Sequence, residues 1–169
     1  MKQISRKKFI SLVALSGTGV VAILGRSARA QQQPQIADKL PPLDKDLVKE
    51  FVVKGHGDLT AVRQMLEMEP RLLHACWDWG GGDFETALEG AGHMGNKEIA
   101  LFLLEKGARL NVFCAAMLGQ IEVVKSILVI HPDLKFSIGP HGLQLLHHAR
   151  KGGPEAAAVV HYLESIGAR

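Results

Sequence analysis

At 169 residues, 47% of them apolar, the chain is long enough for one domain with a buried core, and its formal charge of +3 is concentrated at the start. Six of the 20 Lys and Arg residues and none of the 17 acids lie in residues 1–30, which leaves 14 basic and 17 acidic residues beyond them, a net charge of −3. No basic stripe remains there to neutralise phosphates, which argues against nucleic acid as a partner.

The first thirty residues read as a signal peptide. Lys2, Arg6, Lys7 and Lys8 form a basic start, Phe9 to Gly25 is an apolar run without charge, and Ala28-Arg-Ala30 before Gln31 is a small-x-small cleavage site. A membrane anchor competes with this reading, but Ser16, Gly17, Thr18 and Gly19 interrupt the run and it is short for a span. The expectation is a periplasmic or otherwise exported protein with no stable membrane anchor. The start Ser5-Arg-Lys-Lys-Phe-Ile10 is similar to a bacterial twin-arginine signal with Lys7 in place of the second arginine, so the twin-arginine and general secretory routes both stay open. Residues 31–43, rich in Gln and Pro, read as a flexible leader.

From residue 44 to 169 one frame recurs. It reads Gly57-Asp-Leu-Thr-Ala-Val-Arg-Gln-Met-Leu-Glu67, then Gly95-Asn-Lys-Glu-Ile-Ala-Leu-Phe-Leu-Leu-Glu105, then Gly119-Gln-Ile-Glu-Val-Val-Lys-Ser-Ile-Leu-Val129, with a looser fourth copy from Gly153. Apolar residues fall on one helical face in each. A helix precedes each central glycine as well, the first carrying Leu47, Val48, Phe51 and Val52 on one face. Such a pair cannot bury its apolar face alone, so stacking is required, and one continuous core with contacts only between neighbours is expected. The gap between the first two copies is long, and Cys76-Trp-Asp-Trp-Gly-Gly-Gly-Asp-Phe-Glu85 fills it with both tryptophans.

Ahead of the central glycines, one column holds Leu88, Val112 and Leu146 and another Ala91, Ala115 and Ala149. In these columns the chain resembles the ankyrin repeat family, whose unit of about 33 residues carries a Thr-Pro-Leu-His-x-Ala signature. His147 keeps that histidine, Glu89 and Phe113 replace it elsewhere, and the Pro column holds Ala87, Asn111 and Leu145, so the contacts that fasten each turn are expected to be mostly missing. The resemblance implies an all-α fold: an ankyrin-type helix-pair solenoid of about four repeats, the first a degenerate cap. It also implies a non-catalytic, monomeric module that binds a protein partner through loop fingers and the concave face of the first helices. The positions so implied are Trp77, Trp79 and Phe84 on the finger and Gly90, His93, Met94, Cys114, Met117, His148 and Lys151 along the groove. One tryptophan is expected to turn inward and one outward.

The residues offer little conventional chemistry. Eight histidines raise the question of a metal, but His147 and His148 are adjacent and so face different ways, and His141 or His161 would have to join them. No His-Glu-x-x-His or Cys-x-x-Cys is present, so no metal ligand and no cofactor is assigned. Gly80-Gly-Gly82 lacks the Lys-Ser/Thr of a phosphate loop, and no Gly-x-Ser-x-Gly occurs. The alternative function is a small metal-dependent or hydrolytic enzyme on the same scaffold, resting on Asp78, Asp83, Glu85 and His93 in or near one loop. In the plainer reading, Asp83 or Glu85 caps the helix starting near Thr86. Cys76 and Cys114 fall two helix layers apart, too far for a disulfide, and are expected to be free. An open, partly apolar groove would mark the binding module, an ordered polar pocket the enzyme.

Overall fold

The computed structural model describes residues 40–168, so the expected signal peptide and leader residues 31–39 lie outside the described residues. Within them the protein is mostly helical, as expected, with eight α-helices and one two-stranded antiparallel sheet. The helices come in pairs: α1 (Lys45–Gly55) with α2 (Leu59–Met68), α3 (Ala87–Met94) with α4 (Lys97–Glu105), α5 (Val112–Met117) with α6 (Ile121–Ile130), and α7 (Leu145–Lys151) with α8 (Ala157–Ser165). No helix among the described residues is long and apolar enough to cross a membrane.

Local chemistry sets the helix starts. Asp44, Asp58, Thr86, Asn96 and Asn111 each occupy the N-cap, where the side-chain oxygen accepts an amide the helix cannot satisfy. At α3 the cap is Thr86 itself, not Asp83 or Glu85, and Glu89 returns a bond to the Thr86 amide at 2.8 Å to complete a capping box. Glu89 also accepts from the Asn111 side chain at 3.0 Å. Glu89 therefore fastens this one turn, both to Thr86 and across to the next helix pair. The last part of the leader is docked too: Leu43 packs on the core and the Pro41 carbonyl accepts from Arg71 at 2.8 Å.

The first helices form an inner layer in which α1 packs on α3, α3 on α5 and α5 on α7. Their small column lies at the contacts: Ala91, Ala115 and Ala149 are fully buried. Two departures from the expected stack follow from α5, which has only six residues. First, the core is divided into two clusters, with Cys114 and Met117 of α5 in one and Ala115 and Ala116 in the other. Second, contacts reach beyond neighbours: α7 packs on α3 across the short helix, His147 Nε2 donates to the His93 carbonyl at 3.3 Å, and Lys97 pairs with Glu155 at 2.6 Å.

This curl removes the open groove. Gly90, His93, Cys114, Met117 and His148 are buried in helix contacts, and of the expected groove positions only Met94 and Lys151 are exposed. The Trp-rich segment is a hairpin instead of a plain loop. Its strands, β1 (Cys76–Asp78) and β2 (Phe84–Thr86), pair with Trp77 opposite Glu85. Gly80, Gly81 and Gly82 all have positive φ, a conformation that side chains rarely adopt and that lets the turn close within a few residues. Both thiols are free, Cys76 exposed and Cys114 buried.

Candidate metal centre

Strand alternation decides which finger residues face the helices. Side chains two apart share a face, and directly paired residues share it as well, so Trp77, Trp79 and Glu85 lie on one side and Cys76, Asp78 and Phe84 on the other. Both tryptophans thus lie on the strand face toward the helices, yet only Trp77 is covered while Trp79 stays 37% exposed, in line with the expectation of one tryptophan inward and one exposed. Trp77 is half-buried beneath the Lys49 ammonium, 5.5 Å from its ring centroid. Trp79 lies at the rim, with its indole N–H donating to Glu85 at 2.8 Å. Phe84, 58% exposed, is the aromatic that faces solvent.

Glu85 is completely buried, and three histidines from three separate segments surround it. His93 comes from the last turn of α3, His56 from the residue that ends α1, and His141 from a short turn, Pro140–Gly142, ahead of α7. His93 Nε2 lies 2.8 Å from Glu85 Oε1 and 3.1 Å from His56 Nε2. His56 Nε2 and His141 Nε2 each lie 3.4 Å from Glu85 Oε2. One donor atom from each of the four residues falls within 4.8 Å of all the others. A tetrahedral ion with bonds of about 2.0–2.1 Å holds its ligand atoms about 3.3 Å apart; the four short separations, reckoned to one or the other Glu85 oxygen, lie near that length, while the full set spreads to 4.8 Å and would have to draw in around an ion.

The other ring nitrogens are already committed. His56 Nδ1 donates to the Val52 carbonyl at 3.0 Å, one helical turn back. His141 Nδ1 meets Asp83 Oδ2 at 3.1 Å, and Asp83 Oδ1 accepts the His141 amide at 2.9 Å. A carbonyl or carboxylate on one nitrogen fixes the tautomer and leaves the lone pair on the other, which is how metal-binding histidines are characteristically held. Here that places the free nitrogens of His56 and His141 beside each other's anionic neighbour, Glu85. Burial pushes the Glu85 carboxyl up, but hydrogen bonds from His93 and Trp79, with the attraction of the His56 and His93 rings in their protonated form, outweigh it, and its pKa ends below the ordinary glutamate value. Lone pairs and an ionised carboxylate converging on one point need positive charge there, either protons on the rings or a metal ion.

With all four groups bound, an ion would have no position left for water, the pattern of a closed structural site. His93 and Glu85 form its floor, whereas the side chains of His141 and His56 keep 35% and 24% of their surface, so access is from their side, beside Trp79.

Of the residues singled out in the sequence, the structure joins Trp79, His93, Asp83 and Glu85 in one place and leaves Phe84, Met94 and Lys151 elsewhere on the surface. Asp78 faces out and bonds only the Gly80 amide in its own turn. His147 and His148 do not share a site: one reaches the His93 carbonyl, the other the Gln144 carbonyl. His56 and His141 carry no motif, since 37 residues separate His56 from His93, and only the contact between the turn and the finger brings His141 in. Comparison with protein-family models, with curated proteins and with solved structures finds no match for this chain.

Proposed function

We propose that this protein is a metal-binding helical-repeat protein in which His56, His93, His141 and Glu85 hold one divalent transition-metal ion. Three imidazoles and one carboxylate suit zinc better than calcium or magnesium, which take oxygen ligands. The observation that carries the proposal is the convergence of four donor atoms whose partner nitrogens, on His56 and His141, are already tied to a carbonyl and a carboxylate. Cobalt titration of metal-stripped full-length protein tests it: one ion per chain with the visible absorption of a tetrahedral site, displaced by zinc, and lost in His93→Ala. If cobalt binds no better than to that variant, the cluster is a proton-bridged ion-pair network and the proposal fails.

Protein recognition by an ankyrin-type solenoid of about four repeats is the second reading. Four helix pairs in the expected register support it, as do left-handed glycines at 95, 119 and 153 between the helices of the last three pairs. Phe84, and to a lesser degree Trp79, are the finger aromatics open to a partner, and export through the signal at 1–30 would place the module in the periplasm. Capture of envelope proteins by the wild type and Phe84→Ala separates the cases. A hot-spot aromatic costs about 2 kcal/mol or more when truncated, and equal capture by both would remove Phe84 as a contact.

A further inference from the structure

We infer that metal occupancy of this centre acts as a clasp that fastens the finger turn and the segment 137–144 onto the inner helices, switching them between a loosely held and a fixed state. The inference rests on the metal centre proposed above and concerns what an ion there would do to the protein.

The four ligands differ sharply in how the fold holds them. His93 is on α3, which shares its core with Leu88 and Ala91, both buried, and His56 follows α1 directly, anchored by Phe51 and Val52. His141 is held by less: buried Pro140 precedes it, but its own turn spans only three residues. Its segment begins with Ile138, 66% exposed, and is closed on itself by the Gly139 amide on the Leu143 carbonyl at 2.8 Å and a single bridge between Ile138 and Gln144. His141 itself has φ 59°, the one non-glycine residue among those described in the left-handed region. It is fastened to the finger by its amide and ring Nδ1 on the Asp83 carboxylate and by the 3.4 Å approach of its Nε2 to Glu85, and the finger turn between Trp79 and Asp83 is made of three glycines with no side chain to pack.

Few apolar contacts and exposed polar ones mark the parts of a protein that open first. An ion bound by His141 on one side and by Glu85, His93 and His56 on the other binds only the closed arrangement. It therefore depopulates the open one in proportion to its concentration over Kd, about 100-fold at 100 times Kd. The bonds are added where the fold alone holds least, and they join residues as far apart in the chain as His56 and His141.

Hydrogen exchange of the full-length protein with zinc and with chelator tests this. Zinc slows the amides of Trp79, Asp83, His141 and Leu143 by up to about 100-fold. The amides of the surface turn Pro132–Phe136, which carries none of the ligands, keep their rates. In His141→Ala, zinc affinity falls at least tenfold and the slowing at 137–144 disappears while helicity is retained. Should that variant lose its fold, Asp83→Asn, which removes only the ring's charged partner, is expected to give a smaller loss of the same kind. One zinc per chain with unchanged exchange at both segments overturns the clasp and leaves the centre standing. Full affinity in His141→Ala overturns the clasp by removing its outer arm, and no zinc binding at all overturns both.

Discussion

His148 gives a pH dependence that can be worked out from its surroundings. The residue sits on α7 with 1% of its surface exposed, its Nδ1–H donating to the Gln144 carbonyl at 2.9 Å and its Nε2 buried without a partner. A proton on Nε2 would bring an uncompensated charge into the core. Burial lowers the pKa most, the Gln144 bond opposes it, and the neighbouring His147 and His93 rings add to the lowering, which takes it from 6.5 to about 4. Between those values the unfolded chain binds a proton that the native state refuses, so stability is fully present above pH 6.5 and falls as the pH drops toward 4. At about 1.36 kcal/mol per unit, a difference of about 2.5 units amounts to about 3 kcal/mol.

The assay is urea unfolding of the full-length protein at several pH values from 7 to 4.5, with chelator present throughout. Paired with it is His148→Leu, which cannot titrate and has a body of similar apolar reach. Every other titrating group is common to the two proteins, so their difference isolates this ring. Relative to the variant, the wild type is expected to lose about 2–3 kcal/mol by pH 4.5. Parallel stability curves over that range would refute a buried neutral His148.

Three further outcomes are expected. Ala115→Leu places extra atoms in a fully buried contact and is expected to destabilise by about 1–3 kcal/mol, read as a lower urea midpoint; an unchanged midpoint would take Ala115 out of the packing. Thiol labelling of the native protein is expected to modify Cys76 quickly and Cys114 slowly, since burial pushes the Cys114 thiol up to about 12, while unfolding without reductant should expose two free groups. Thr86→Ala breaks the capping box and is expected to cost about 0.5–2 kcal/mol, and a loss below that range would mean that the Asn111 to Glu89 bond holds the turn unaided.

The helix pairs were legible in the sequence because their signal is local and repeated. Apolar spacing, a glycine at each reversal and an alanine at each close contact recur along the chain, and each column carries the same physical demand. The hairpin was half legible: its length and its tryptophans marked it, but strand alternation within 76–86 went unread, and so the sides of Trp77, Trp79 and Glu85 were not assigned. The groove failed as an expectation because it was transferred from regular repeats, in which inner helices are long enough to keep alternate pairs apart. With six residues, α5 does not do so. His56 carries no signal, and His141 stands out only as a partner for His147 and His148, since each is a lone histidine given meaning by contacts 29 and 56 residues away at Glu85.

The unequal spacing of the central glycines accounts for the site as a whole. The long interval from Gly57 to Gly95 supplies a hairpin that delivers Glu85, Trp79 and Asp83, and the interval from Gly119 to Gly153 supplies the turn that delivers His141. Neither insertion could reach the other if the repeat between them were full length. The short interval from Gly95 to Gly119 leaves no finger of its own and only six residues in α5, so that α7 closes onto α3, near enough that a Cβ on Gly95 would strike the Lys151 carbonyl. Each irregularity weakens the repeat as a repeat, and together they bring His56, Glu85, His93 and His141 to one point. A chain with equal spacings would bury its alanine column just as well, but it would keep His141 and Glu85 apart, so the departures from the pattern are where the site's chemistry resides.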